Sequence, residues 1–195
     1  GMGSHRMVTK QVSFYEEMTN VPFIIAGPGI HPRQKPVEDL LTQPTIDLLP
    51  TLCELAGIPV PSSKPGISLA PFLKGEKQKR QHPYAASEWH SEYEVTVSPG
   101  RMIRSPRYKY THYLEGNGEE LYDMLKDKGE RRNLAHDPKY SKILAEHRAL
   151  LDDYIRRTQD DYRSLKVEAD KRWRSHAPGY PNHEGPCARD IINRK

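Results

Sequence analysis

The chain has 195 residues, 35% apolar and 29% charged, with 17 prolines and a mean hydropathy of −0.83. That length allows one good-sized domain or two small ones, while the low apolar fraction points to a thin core, long solvated helices and much loop, or a piece of something larger. The net charge of +4 is spread along the chain with acids interleaved, which argues for a solvated surface against a nucleic-acid patch, and no apolar stretch approaches the ~20 residues of a membrane span.

No signal peptide opens the sequence, but Gly1 ahead of Met2 reads as a residue left by tag cleavage, so that absence carries no weight. Val21 to Ala26 (VPFIIA), closed by Gly27-Pro28-Gly29, predicts a strand buried on both faces, as in a parallel sheet covered by helices. Next, TQPTIDLLPTLCELAGIPVP predicts an amphipathic helix. Leu48, Leu49, Leu52, Leu55 and Ala56 recur at helical spacing, with Thr45 as N-cap, Pro50 near the first turn and Gly57 as the stop. Cys53 lies on the apolar face and reads as a small buried hydrophobe. Cys187 lies in a Pro/Gly-rich tail, and nothing in the spacing demands a disulfide between the two, which leaves the redox compartment open. Strand, loop and helix together read as the last part of an α/β layer.

After a short apolar turn, GISLAPFLKG, the charged stretch GEKQKRQHP reads as the seam between two subdomains. Pro83 to Trp89, Val95 to Val97 and Arg101 to Tyr113 are strand-like. Arg107, Lys109 and Thr111 alternate with Tyr108, Tyr110 and His112, the period of a half-buried strand. Gly116-Asn117-Gly118 predicts a turn between antiparallel strands, with Glu120 to Asp123 as the returning partner. A long helix follows, capped by Asp137 with Pro138 at its first position. Its stripe runs through Tyr140, Ile143, Leu144, His147, Leu150, Leu151, Tyr154 and Ile155, and its end near Val167 is left open. Past Trp173 the periodicity is lost. The histidines His82, His112, His136, His147, His176 and His183 show no metal-ligand spacing, and Gly27-Pro28-Gly29 opens no helix that would cradle phosphate.

Five stretches in order, HRMVTKQVSFYEEMTNVPFIIAGPGI, TIDLLPTLCELAGIPVP, GISLAPFLKG, RMIRSPRYKYTHY and GEELYDMLKDKGERRNLAHDP, resemble the late segments of formylglycine-dependent (type I) sulfatases. The resemblance implies an α/β (α+β) fold: the end of an alkaline-phosphatase-like α/β domain (residues 1–80), a C-terminal subdomain of antiparallel sheet plus long helix (81–174), and an irregular tail (175–195). It also implies a parent enzyme that hydrolyses sulfate esters on a carbohydrate such as a glycosaminoglycan.

The chain departs from the family where the chemistry is densest. The family's nucleophile is made from a Cys/Ser-x-Pro-x-Arg motif, yet Cys53 is followed by ELAG, Cys187 by ARDI, and Ser98-Pro99-Gly100-Arg101 and Ser105-Pro106-Arg107 have the wrong spacing. The family's calcium-like ion is held by aspartates that would fall before Gly1. The resemblance therefore implies no catalytic residue and no metal ligand here, a parent that needs formylglycine and a divalent ion, and a chain inactive alone. Two residues stand where the family contacts the sulfate, His5 and Lys10, ahead of Phe14-Tyr15-Glu16. Trp89, His90 and Arg104 are candidates for a specificity rim, although packing for Trp89 and solvent for His90 are the plainer readings. Arg104, Arg107 and Lys109 lie on or near one strand and read either as facing an anionic substrate such as a sulfated glycan or, more plainly, as a solvated sheet face. Expected partners are the missing catalytic portion, a sulfated carbohydrate, and further copies of this chain through the N-terminal segment, without nucleic acid. Family habit implies a periplasmic or secreted location, or a lysosomal one in a eukaryote. Two rival readings are a non-catalytic glycan-binding or regulatory module, and a phosphate or phosphonate ester hydrolase of the same superfamily. Residues Tyr84 to Ile155 are expected to be the most stable part.

Overall fold

The computed structural model describes residues 4–6, 13–33, 35–38, 40–63, 65–78, 82–89, 99–114 and 118–165. These fall into two compact units. One holds the described residues of Gly1–Asn20, Ser87–Ile103 and Tyr108–Lys195; the other holds those of Val21–Ala86 and Arg104–Arg107. The described residues of Gly1–Asn20 group with most of the sheet and not with the segment that follows them.

Four strands, β1 (Ala85–Trp89), β2 (Gly100–Arg104), β3 (Tyr108–Tyr113) and β4 (Glu119–Asp123), form one sheet in the order β1-β2-β3-β4. β3 and β4 are antiparallel, with Tyr110 opposite Leu121 and Lys109 opposite Tyr122. Ser105 to Arg107 break the strand-like run from Arg101 into β2 and β3, where Pro106 cannot donate to a ladder.

A helix of 18 residues, α4 (Ser141–Thr158), lies against β3 and is entered through a 3-10 turn, Pro138–Tyr140. Asp137 accepts from the Lys139 N–H at 3.1 Å and so caps this 3-10 turn, while the N-cap of α4 itself is Tyr140 and not Asp137 as expected. Leu144, His147 and Leu151 form its buried stripe. The helix stops at Thr158, where Gln159 turns left-handed at φ 55°, and does not reach Val167. The chain beyond is tied down at once. Asp160 pairs with Arg101 through two bonds of 2.6 and 2.9 Å, and the buried Tyr162 hydroxyl donates to the His112 carbonyl at 2.8 Å.

The alternation in β3 predicts one buried face, but Lys109, Tyr110 and Thr111 are buried in succession. Both faces are covered. Tyr108 meets His147 of α4 edge-on at 5.8 Å, while on the other side Tyr113 packs on Phe14. The second cover is the segment from Ser13 to Asn20, which includes the short helix α1 (Glu16–Thr19). It brings two apolar clusters: Phe14 with Met102, Tyr113 and Trp89, and Tyr15 with Tyr122, Met124 and Met18. Local alternation carries no trace of a cover that arrives from ninety-odd residues upstream.

In the other unit, α2 (Pro44–Leu55) packs against α3 (Ala70–Leu73). The N-cap is Gln43 and not Thr45. Pro44 takes the first helical position, and Asp47 reaches back to accept from the Gln43 N–H at 2.7 Å. Pro50 stands inside the helix. The buried face is Asp47, Pro50 and Thr51, whereas Leu48, Leu49 and Leu52 are 41%, 45% and 50% exposed and Cys53 is half-buried. The polar face is inside because the loop across from it needs acceptors. Asp47 takes the Ile67 N–H at 2.8 Å and the His82 ring at 2.7 Å, and the Thr51 hydroxyl takes the Leu69 N–H at 3.0 Å. Val21 to Ala26 form no strand, and Val21 and Ile24 are exposed. A strand exists through its ladder, and no described neighbour pairs with this run.

Candidate functional site

His5 stands on a 3-10 turn, Ser4–Arg6, with its own φ at 49°. Its ring lies flat on Tyr15, 3.7 Å between centroids and 3° between planes, and its Nε2 is 3.9 Å from Glu17 Oε2. Burial pushes the Glu17 carboxyl up, but a hydrogen bond from Ser4 and the nearby His5 hold it below the ordinary carboxylate value. An open cavity of about 470 Å³ is lined by Ser4, His5, Glu17, Gly129 and Arg131. Of the other predicted site residues, Lys10 and His90 lie outside the described residues. Trp89 ends β1 with its ring on the Phe14 cluster, and its carbonyl accepts from Arg101 at 2.9 Å. Arg104 is half-buried and donates to the Ser105 carbonyl. These residues do not converge on His5 in any described contact.

What sequence reasoning missed lies directly behind the His5 end. Lys109, expected on a solvated face, is 1% exposed. Its Nζ sits 2.6 Å from Glu16 Oε1 and 2.9 Å from Glu130 Oε1, and donates to the Phe14 carbonyl at 2.9 Å. The other Glu130 oxygen accepts the Glu16 N–H at 2.7 Å. Burial pushes the Glu130 carboxyl up, and Lys109 opposes that rise. Glu130 also holds φ at 49°, which is uncommon for a residue with a side chain. The one signal available in the sequence was that Lys109 stands between two tyrosines and shares its strand face with Tyr113.

Donor atoms of His5, Glu17 and Glu130 lie within 4.8 Å of one another. They do not suit a calcium-like ion. Glu130 already spends one oxygen on Lys109 and the other on a backbone N–H, and such an ion seeks six to eight oxygens, as a rough rule.

Residues 3–157 match the family described as N-sulphoglucosamine sulphohydrolase, C-terminal. The chain is 76% identical over 195 residues to the Delta 4,5-hexuronate-2-O-sulfatase of Bacteroides thetaiotaomicron, covering all of this chain and 40% of that protein. It is 34% identical over 140 residues to Arylsulfatase K of Homo sapiens, covering 67% of this chain and 25% of that one. Among solved structures it superposes on a 2-O GAG sulfatase with a TM-score of 0.85 at 78% identity, covering 98% of this chain and 41% of that one. The chain thus spans about two fifths of the length of the first of these relatives.

Proposed function

The chain belongs to the N-sulphoglucosamine sulphohydrolase C-terminal family, and on that premise we propose that it is the C-terminal part of a sulfatase removing the 2-O-sulfate from an unsaturated hexuronate. The observation that carries this reading is 76% identity, without a break in coverage, to an enzyme named for that substrate. In the reading, formylglycine supplies the nucleophile and a divalent ion offsets charge on the sulfuryl oxygens, both from the preceding part of the polypeptide. This chain supplies the cationic wall. Lys10 is a compact cation for a sulfate oxygen, and His5 donates to the sulfate or to the departing ester oxygen. The preceding part also covers the exposed leucines of α2, and without it copies of the chain associate through that face. The location that goes with the reading is periplasmic or secreted; among the described residues no helix is long and apolar enough to cross a membrane.

The test joins this chain to the N-terminal part of the Bacteroides thetaiotaomicron enzyme and follows sulfate release from a 2-O-sulfated unsaturated disaccharide. The joined protein should release sulfate, and the 195-residue chain alone should release none. Lys10→Ala in the joined protein should lower turnover by roughly 10²–10³, the usual cost of losing one donor to a developing anion. A folded joined protein that left this disaccharide intact would refute the reading.

A further inference from the structure

Taking an ammonium out of water costs several kcal/mol unless its partners recover it, and an apolar pair of similar volume would often fill the space at no loss. The ion cluster at Lys109 therefore needs an account beyond stability. Apart from Glu130, each acceptor near Nζ belongs to one short stretch: Glu16 Oε1 at 2.6 Å, the Phe14 carbonyl at 2.9 Å and Thr19 Oγ1 at 3.5 Å. Glu130 holds the same stretch through the Glu16 N–H at 2.7 Å. Glu130 is itself fixed by its turn, in which Asp127 accepts from the Arg131 and Arg132 N–H groups at 2.8 and 2.9 Å.

An apolar contact would hold this stretch in place without orienting it. Hydrogen bonds to the Phe14 carbonyl and the Glu16 N–H fix the peptide groups on either side of Tyr15. They set the direction in which Tyr15 enters its cluster with Tyr122 and Met124. His5 stacks on a face of that same ring, 3.7 Å between centroids. The line of contact runs from strand and loop, through the ion pair and two peptide groups, to one aromatic ring and then to one imidazole.

We propose that Lys109 and Glu130 are positioning residues, which fix through Tyr15 where the His5 ring stands. The proposal rests on the sulfatase reading only for what His5 then does, namely meet the sulfate.

The test uses the 195-residue chain and reads His5 by NMR. Stacked on Tyr15, its ring protons stand upfield of a free histidine. Lys109→Met leaves the buried Glu130 carboxylate and the half-buried Glu16 carboxylate without their cation and can unfold the unit, so the deciding variant is Lys109→Met/Glu130→Gln, which removes the two buried charges together. In that variant the His5 ring protons should return to free-histidine positions, and the Met18 and Thr19 amides should exchange at least ~tenfold faster, while Leu144 to Leu151 keep their protection. An unmoved His5 signal would overturn the proposal. So would equal loosening of α4, which would mean a general loss of stability. Sulfate release by the joined protein is a separate arm: its absence in the parent sequence sinks the sulfatase reading, while the His5 signal still judges the clamp.

Discussion

His147 lies on the apolar stripe of α4, is buried, and has its Nδ1 2.8 Å from the Ile143 carbonyl. A carbonyl only accepts, so Nδ1 carries the hydrogen. Burial holds this imidazole below its ordinary value of 6.5, outweighing the carbonyl bond and the nearby Glu146, which pull it back. The sign follows from linkage. Below about 6.5 the unfolded chain binds this proton more readily than the folded one, so the stability His147 confers is present at neutral pH and is lost as pH falls through the lower folded value. Melting temperature measured at pH 7.5 and pH 5 should fall in the parent, and His147→Leu should show a smaller fall. An equal fall in both would place the acid sensitivity elsewhere. Glu130 acts with the opposite sign: its raised carboxyl contributes fully below about 4.5, and that contribution is lost as pH rises through the folded value. His147 was legible as a core histidine, because helical periodicity put it on the stripe. Lys109 and Asp47 were not, since their burial depends on acceptor needs of segments distant in sequence.

Gly66 and Pro50 explain each other at the level of the element. Pro50 has no N–H, so the Ile46 carbonyl of α2 lacks the partner four residues on. Gly66 lies against that carbonyl so closely that a Cβ would stand 1.9 Å from the oxygen and 2.6 Å from the carbon. The obstacle is backbone, not a side chain that can swing aside. Gly66→Ala should therefore destabilise by at least the ~1–3 kcal/mol of ordinary overpacking, read as a lower denaturation midpoint. Gly27→Ala, with nothing within 4 Å of the added carbon, is the control and should be near neutral. Equal midpoints for the two variants would mean that the loop after α2 yields freely. Elements whose signals are local were legible: the β3–β4 pair, whose predicted turn at Gly116-Asn117 lies outside the described residues, and α4, entered through the turn that Asp137 caps. Val21 to Ala26 was not, because a strand is a property of two segments and no described segment pairs with this one.

Across the whole molecule, the sequence is amphipathic where the structure is exposed. Leu48, Leu49 and Leu52 of α2 are about half exposed, and Val21, Ile24, Ile58 and Val60 are exposed as well. Scattered apolar residues need no explanation, but a helix that turns three leucines outward and buries an aspartate and a threonine does. The physical account is that α2 has two faces to satisfy. The polar one answers the loop from Ile67 to Leu69, and the leucine face is left about half exposed among the described residues. In water that face gains about 25 cal/mol for each Å² it removes from solvent, and another copy of the same face is the nearest apolar surface on offer. Light scattering of the isolated chain should therefore give a mass that rises with concentration. Replacing Leu48, Leu49 and Leu52 together by glutamine, which keeps helix propensity, should return it to the monomer mass without lowering helix content by circular dichroism. In the joined protein the same replacement should act in the other direction, lowering the melting temperature, if the preceding part covers the leucines as proposed. A parent chain that stays monomeric at every concentration, with leucine variants that leave the joined protein's melting unchanged, would mean that this face has no partner in either setting.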